Sequence, residues 1–126
     1  MKQLIFLIFV VCLMITSQGI ADPVVEGKKL VFDRKKGNCL ACHLIKEGEL
    51  TGNAGPPLIA MKARFPNKKD LYDKIWDATK DNKNSFMPPF GKHGLLTESE
   101  IKEIVEYLYT LWGSLWIEEN FYAKHC

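Results

Sequence analysis

The chain has 126 residues, with 17 basic and 15 acidic side chains and a formal net charge of +2. This length suits one domain, so a multidomain organisation is excluded. Hydrophobic residues make up 47% of the chain and charged residues 25%, which is the balance of a folded protein rather than a disordered one. The small net charge also argues against a nucleic-acid-binding protein, which normally has a strongly basic face.

The first 21 residues have the features of an export signal. A positively charged start precedes an uninterrupted apolar run over residues 4–15, which is shorter than the ~20 residues needed to span a bilayer. A Gly-Ile-Ala sequence then gives the small-x-small pattern of a signal-peptidase site. We predict that residues 1–21 are removed and that residues 22–126 are periplasmic, with no stable membrane insertion. The alternatives are an uncleaved anchor and a lipoprotein at Cys12, the latter disfavoured by the bulky residues before that cysteine.

The first predicted helix spans about residues 24–36. Gly27 lies on its apolar stripe and has no side chain, so another helix can approach closely there. Gly37 ends the helix. The stripe comprises Val24, Gly27, Leu30 and Val31.

The strongest signal in the chain is the sequence Cys39-Leu40-Ala41-Cys42-His43, a C-x-x-C-H motif for attachment of a c-type haem. Two thiols one turn apart can add to the two porphyrin vinyl groups, and the adjacent histidine then lies under the iron. We therefore predict one covalently bound haem c, with Cys39 and Cys42 as thioether anchors and His43 as proximal ligand. A thioredoxin-like redox pair would need a βαβ context, and a zinc site would need a second ligand pair. The sequence shows neither pattern.

Residues 46–60 contain three glycines and the pair Pro56-Pro57, which predicts a long loop without periodic structure. A loop of this length in a small domain usually has a function. We expect it to wrap the proximal side of the haem. The carbonyl of Pro56 would then accept the ring proton of His43.

The second predicted helix begins near Asn67, with Asp70 at its third helical position as a capping arrangement. Leu71 and Ile75 are expected to face the core, and helical spacing continues to Thr79. The polar stretch that follows ends this helix.

A six-coordinate haem needs a second axial ligand, and Met87 is the best-placed candidate. It lies in residues 86–91, Phe-Met-Pro-Pro-Phe-Gly, where paired prolines favour a stiff extended loop. A thioether ligand raises the reduction potential relative to a second histidine, which suits an electron acceptor. His93, in a glycine-rich turn, is the second choice, and Met61 is expected to pack in the core. The remaining donors lie near the C-terminus: His125 and Cys126.

The third predicted helix begins at a capping box formed by Thr97 and Glu100, and Gly113 ends it. Its face should pack across the first helix near Gly27. The unbroken apolar stripe comprises Ile101, Ile104, Val105, Leu108, Leu111 and Trp112.

Residues 113–126 form a C-terminal tail that is more apolar than a free terminus, so it folds back on the domain or meets a partner. Three cysteines remain after removal of the signal, and this odd number excludes a closed disulfide framework. Cys126 is either a disulfide tether to a partner subunit or a thiol that is buried or simply exposed.

These motifs resemble those of the class I cytochromes c and, more narrowly, of the SoxX family, the monohaem subunits of SoxAX sulfur-oxidation cytochromes. The resemblance covers nearly all of residues 24–112. It rests on the sequences at residues 36–43, 52–56, 87–91 and 96–97.

The resemblance implies an all-α, class I cytochrome c-like fold, with helices packed around one covalently bound haem. It implies that His43 is the proximal ligand and Met87 the distal one. It further implies an electron-accepting subunit of an L-cysteine S-thiosulfotransferase in thiosulfate oxidation. The catalytic cysteine would lie on a SoxA-like cytochrome partner with one or two haems, and a downstream cytochrome would accept the electrons. The alternative is a free-standing soluble electron carrier with no enzymatic partner.

Overall fold

The structure is a computed structural model that describes residues 21–111. Most of the predicted export signal and the whole tail at residues 113–126 lie outside the described residues. The described part of the chain is helical and contains no strand, which confirms the predicted all-α class, and none of its helices is long and apolar enough to cross a membrane. Its elements are α1 (Pro23–Phe32), a 3₁₀ turn (Cys39–Ala41), α2 (Met61–Arg64), α3 (Lys68–Trp76) and α4 (Glu98–Leu108).

Each of the three longer helices begins at a side-chain cap. The Asp22 carboxylate accepts from the backbone N–H of Val24, the second residue of α1, at 2.9 Å. The Asn67 side chain likewise accepts from the N–H of the second residue of α3 at 3.0 Å. Thr97 and Glu100 form the capping box predicted for α4. Since these caps are local contacts, the sequence identifies where each helix begins.

The predicted first helix is too long at its C-terminal end, because α1 ends at Phe32 and not at residue 36. Residues 34–37 instead form a turn. The Gly37 N–H donates to the carbonyl of Leu30 at 3.2 Å, and a Cβ on Gly37 would lie 2.6 Å from that oxygen. Gly37 therefore permits a tight return of the chain toward α1 just before the haem motif.

The predicted second helix is also too long, because α3 ends at Trp76 and Thr79 lies beyond it. The Asp77 carboxylate accepts hydrogen bonds from both the backbone N–H and the hydroxyl of Thr79. A side chain that bonds the backbone in this way offers an alternative to the next helical turn. Leu71 and Ile75 are buried, as predicted.

Helix α4 crosses α1 at Gly27, as the sequence predicted. A Cβ on Gly27 would lie 1.9 Å from the backbone carbonyl oxygen of Glu103, so only glycine allows the two backbones to come this close. The predicted third helix is too long, because α4 ends at Leu108 and not at Gly113. Leu111 is buried just beyond that end. Trp112 lies outside the described residues.

The loops close over the same core as the helices. The core includes the loop residues Ile45, Leu58, Phe90 and Leu96 beside the helical ones, and Met61 is 2% exposed within it, as predicted. Three half-buried side chains from the haem motif and the methionine loop pack against this core: Cys39, Leu40 and Met87. The core thereby fixes both loops relative to one another.

Candidate haem site

The C-x-x-C-H motif folds into one tight turn. Asn38 has a left-handed backbone (φ +46°) and leads the chain into the 3₁₀ turn. The backbone N–H groups of Cys42 and His43 both donate to the carbonyl of Cys39, at 3.2 and 2.9 Å. Both cysteines are half-buried free thiols. The turn therefore places two thiols one turn apart, directly followed by the imidazole, which is the arrangement that haem attachment needs.

The surroundings of the two thiols disfavour a thioredoxin-like redox pair. Burial and, to a lesser extent, the neighbouring Cys42 raise the pKa of the Cys39 thiol to about 11. Catalytic redox cysteines have a lowered pKa, because the thiolate is the reactive form. A zinc site also lacks support, since no group of three or more His, Cys, Asp or Glu side chains that could hold a metal ion occurs within residues 21–111.

The His43 ring is held by the backbone of the loop that follows the motif. Its Nδ1 lies 2.7 Å from the carbonyl oxygen of Pro56. Because a carbonyl oxygen can only accept, Nδ1 carries the proton and donates it. The other ring nitrogen, Nε2, keeps its lone pair and is the atom available to iron. This confirms the predicted contact between His43 and Pro56.

Three backbone hydrogen bonds join this loop to the haem motif along its length. The N–H groups of the loop donate to carbonyls of the motif and of the residue after it, at 2.8–2.9 Å. The pairs are Gly52 to Leu40, Gly55 to Cys42 and Leu58 to Leu44. Backbone hydrogen bonds on both sides of Pro56 thus fix the position of its carbonyl, which accepts from the imidazole.

Two glycines allow the loop to approach the motif closely. A Cβ on Gly52 would lie 1.9 Å from the carbonyl oxygen of Ala41, and a Cβ on Gly55 would lie 2.4 Å from Cε1 of His43. Any larger side chain at Gly55 would push into the imidazole ring. Within the Gly-Asn-Ala-Gly-Pro sequence, Gly55 therefore packs against the His43 ring and the Pro56 carbonyl accepts its hydrogen bond.

Met87 lies in an irregular loop, as the sequence predicted. The Met87 side chain is half-buried against the core. The backbone N–H of Met87 donates to the Ser85 hydroxyl oxygen at 3.2 Å. His93 is exposed and lies in a turn. The turn is closed by a hydrogen bond from the backbone N–H of His93 to the carbonyl of Pro89, at 3.0 Å. Met87 stays the better-placed candidate for the distal ligand. His125 and Cys126 lie outside the described residues.

Sequence reasoning missed the residues that anchor the Met87 loop. Trp76 packs its indole ring on Gly91, and Asp77 pairs with Lys92. No motif marks these contacts, because they join residues some fifteen positions apart whose types are common on protein surfaces. The one available signal was the absence of a side chain at Gly91.

The all-α domain and its haem-attachment turn place the protein among the c-type cytochromes of class I. Residues 24–108 match the family model described as "Cytochrome C oxidase, cbb3-type, subunit III". Because this match covers more than half of the sequence, the chain belongs to that cytochrome c family.

Two further proteins are similar to this chain. The chain is 41% identical over 76 residues to an "Uncharacterized lipoprotein" of Aquifex aeolicus, a match covering 60% of this chain and 37% of that protein's length. It also resembles the crystal structure of SoxXA from P. pantotrophus, with a TM-score of 0.62 and 25% identity over 74% of this chain and 83% of that one. The resemblance to SoxX found in the sequence is thereby confirmed.

Membership of this family means that the cofactor is covalently bound haem c, and the residues present fit it. The half-buried thiols of Cys39 and Cys42 would form the thioethers, and His43 offers an oriented Nε2. Met87 would supply the second axial ligand. Bound haem supplies one-electron chemistry between ferric and ferrous iron, with a potential that depends on its axial ligands and their surroundings.

We expect Gly55→Ala to disturb the proximal side, because the added methyl group would collide with the His43 ring. Overpacking of this kind costs about 1–3 kcal/mol, and a displaced imidazole bonds iron more weakly. The ferric protein should show an increased high-spin fraction in its electron paramagnetic resonance spectrum. Asn53→Ala, at an exposed position in the same loop, should keep the low-spin spectrum. A low-spin Gly55→Ala protein would contradict this account of the loop.

We expect Met87→Leu to abolish the weak near-infrared absorption band of thioether-ligated ferric haem and to lower the reduction potential. Met61→Leu is the matched control, since Met61 is a buried core residue and should leave the band in place. Absorption spectra and a redox titration measure both effects. Survival of the band in Met87→Leu, or loss of the low-spin spectrum in His93→Ala, would show that the distal assignment is wrong.

Proposed function

We propose that this chain is the electron-accepting haem subunit of a periplasmic SoxAX-type L-cysteine S-thiosulfotransferase, which acts in thiosulfate oxidation. The catalytic cysteine would lie on a SoxA-like partner that carries one or two haems. Electrons received by this chain would pass to a downstream cytochrome. The observation that carries the proposal is the similarity to SoxXA, which extends over most of both chains.

The contacts around His43 suit an electron acceptor. Gly55 packs against the ring and Pro56 holds the Nδ1 proton, so the imidazole has one position and one tautomer. A hydrogen bond of this kind orients a ligating histidine and raises its basicity. A ring fixed in this way has to move little when the charge on iron changes, and little movement favours fast electron transfer.

Two exposed apolar side chains support the presence of a protein partner. Leu50 is 94% exposed in the loop that carries Pro56, and Phe86 is 93% exposed next to Met87. Leu50 also has a left-handed backbone (φ +55°), which is unfavourable for a branched side chain. Aromatic and aliphatic side chains presented from loops beside a functional site are typical of an interface.

Export to the periplasm is part of the proposal and rests on the N-terminal sequence. Residues 1–21 combine a basic start, a short apolar run and a small-x-small end. The relative from Aquifex aeolicus is named a lipoprotein, so lipid attachment at Cys12 is the competing outcome. Intact-mass spectrometry of the exported protein separates them: cleavage before Asp22 leaves a lipid-free chain.

The second candidate function is that of a free-standing electron carrier. It is favoured by the family match, which covers residues 24–108 and needs no Sox partner. The two candidates differ in whether this chain forms a complex and whether that complex transfers thiosulfate.

We expect this chain to co-purify with a SoxA-like chain encoded beside it. The mixture should conjugate thiosulfate to a carrier protein's cysteine, and neither chain alone should do so. Phe86→Asp and Leu50→Asp should each weaken the complex about tenfold or more, as when a buried apolar anchor of an interface is replaced by a charge. Val25→Asp, at a half-exposed position on α1, should bind normally.

Calorimetry measures these affinities, and the visible spectrum checks that each variant keeps its haem. If this chain elutes alone and still exchanges electrons with small cytochromes, the free-standing carrier is the correct function. If all three variants bind equally well, the complex does not form through these loops, and the interface described above is wrong.

A further inference from the structure

The segment that carries Met87 is closed at its two ends by contacts between α3 and residues 91–92. The backbone N–H groups of Gly91 and Lys92 both donate to the carbonyl of Trp76, each at 3.2 Å. The Trp76 ring covers Gly91 so closely that a Cβ there would lie 2.1 Å from Cε3 of the indole. Residues 77–92 thus form a surface loop whose ends touch, as in a compact Ω-loop.

An ion pair lies across this junction. The Lys92 ammonium donates to Asp77 Oδ2 at 2.8 Å, and the other carboxylate oxygen accepts from the Thr79 N–H at 3.0 Å. The Asp77 side chain is only 15% exposed, although Lys92 is 56% exposed. The carboxylate of the residue that begins the loop therefore binds both Thr79, two residues on, and Lys92, the residue that ends the loop.

Asp77 is charged whenever the protein is folded at neutral pH. The hydrogen bond from Lys92, with a second from the Thr79 hydroxyl, lowers the pKa of the Asp77 carboxyl to about 2. A charge-assisted hydrogen bond is stronger than a neutral one.

A closed loop matters for a ligand that has to stay within bonding distance of iron. Joining the ends of a chain segment removes much of its conformational freedom, so the Met87 thioether is presented in a narrow range of positions. An external ligand can reach the distal side only in the fraction of molecules whose loop is open. Its apparent affinity falls in proportion to that fraction.

We propose that Asp77 and Lys92 are positioning residues whose ion pair keeps the Met87 loop closed and thereby maintains the thioether as iron ligand against competitors. This inference goes beyond the proposed function and rests on Met87 as distal ligand, not on any partner. It can therefore fail while the SoxAX assignment stands, and the reverse is also true.

The experiment is a titration of the ferric holoprotein with imidazole, which competes with Met87 for iron. Loss of the near-infrared band reports displacement of the thioether. Asp77→Asn, which can still accept from the Thr79 N–H, and Lys92→Met should each raise imidazole affinity about three- to fivefold. Their reduction potentials should fall below that of the unchanged protein, since the soft ligand is bound less of the time.

Three further proteins make the test specific. Asp73→Asn removes a carboxylate that pairs with Lys69 on the same helix but does not touch the loop, so its imidazole affinity should be unchanged. Lys92→Arg keeps the pair and should retain low affinity. The double variant of Asp77→Asn with Lys92→Met should bind imidazole no more tightly than either single variant, because each single substitution already removes the same ion pair.

Several results would overturn the proposal. Imidazole affinity equal to that of the unchanged protein in both single variants would show that the pair does not hold the loop. If the increases in imidazole affinity of the two single variants add in the double variant, they do not arise from loss of the ion pair. An equal rise in Asp73→Asn would indicate general loosening of α3. Absence of the near-infrared band from the unchanged protein would remove Met87 as ligand and the proposal with it.

Discussion

The hydrogen bond from His43 Nδ1 to the Pro56 carbonyl is the interaction on which the rest of the site depends. It decides which ring nitrogen keeps a free lone pair, and so which nitrogen is available to iron. The loop that provides this carbonyl is long and irregular. It can hold the carbonyl in place because its backbone bonds the haem motif at three successive points. Gly55 completes the arrangement by letting the backbone rest on the ring.

The helices supply a rigid frame to which the two site loops are attached. The close crossing of α1 and α4 at Gly27 brings two apolar stripes together, and buried loop residues such as Ile45 and Phe90 join the same core. Neither loop has regular secondary structure, so each takes its shape from this packing and from its end contacts. The proximal loop is hydrogen-bonded to the haem motif along its length, whereas the polar contacts between the Met87 loop and α3 lie near its two ends. With Met87 as distal ligand, this difference favours displacement of the thioether over displacement of the histidine.

Much of this could be predicted from the sequence, because the decisive features are local or involve glycine and proline. The haem motif, the helix caps at Asn67 and Thr97, the crossing at Gly27 and the Pro56 carbonyl all follow from short patterns. The ends of α1 and α3 could not be predicted, since neither helix has a glycine or a proline at the residue where it stops. There, a return toward Leu30 and the bonding of Thr79 by Asp77 outweigh helical periodicity. The Asp77–Lys92 pair was equally hidden among ordinary surface charges.

The central claim is that this chain holds one haem c through Cys39 and Cys42. The most direct measurement is mass spectrometry of a tryptic digest of the exported protein, made under denaturing conditions. The account predicts a single haem-bearing peptide that contains residues 39–43, with its mass raised by one intact haem and no free thiol left. A peptide recovered with two free thiols, or with Cys39 and Cys42 joined by a disulfide, would contradict it.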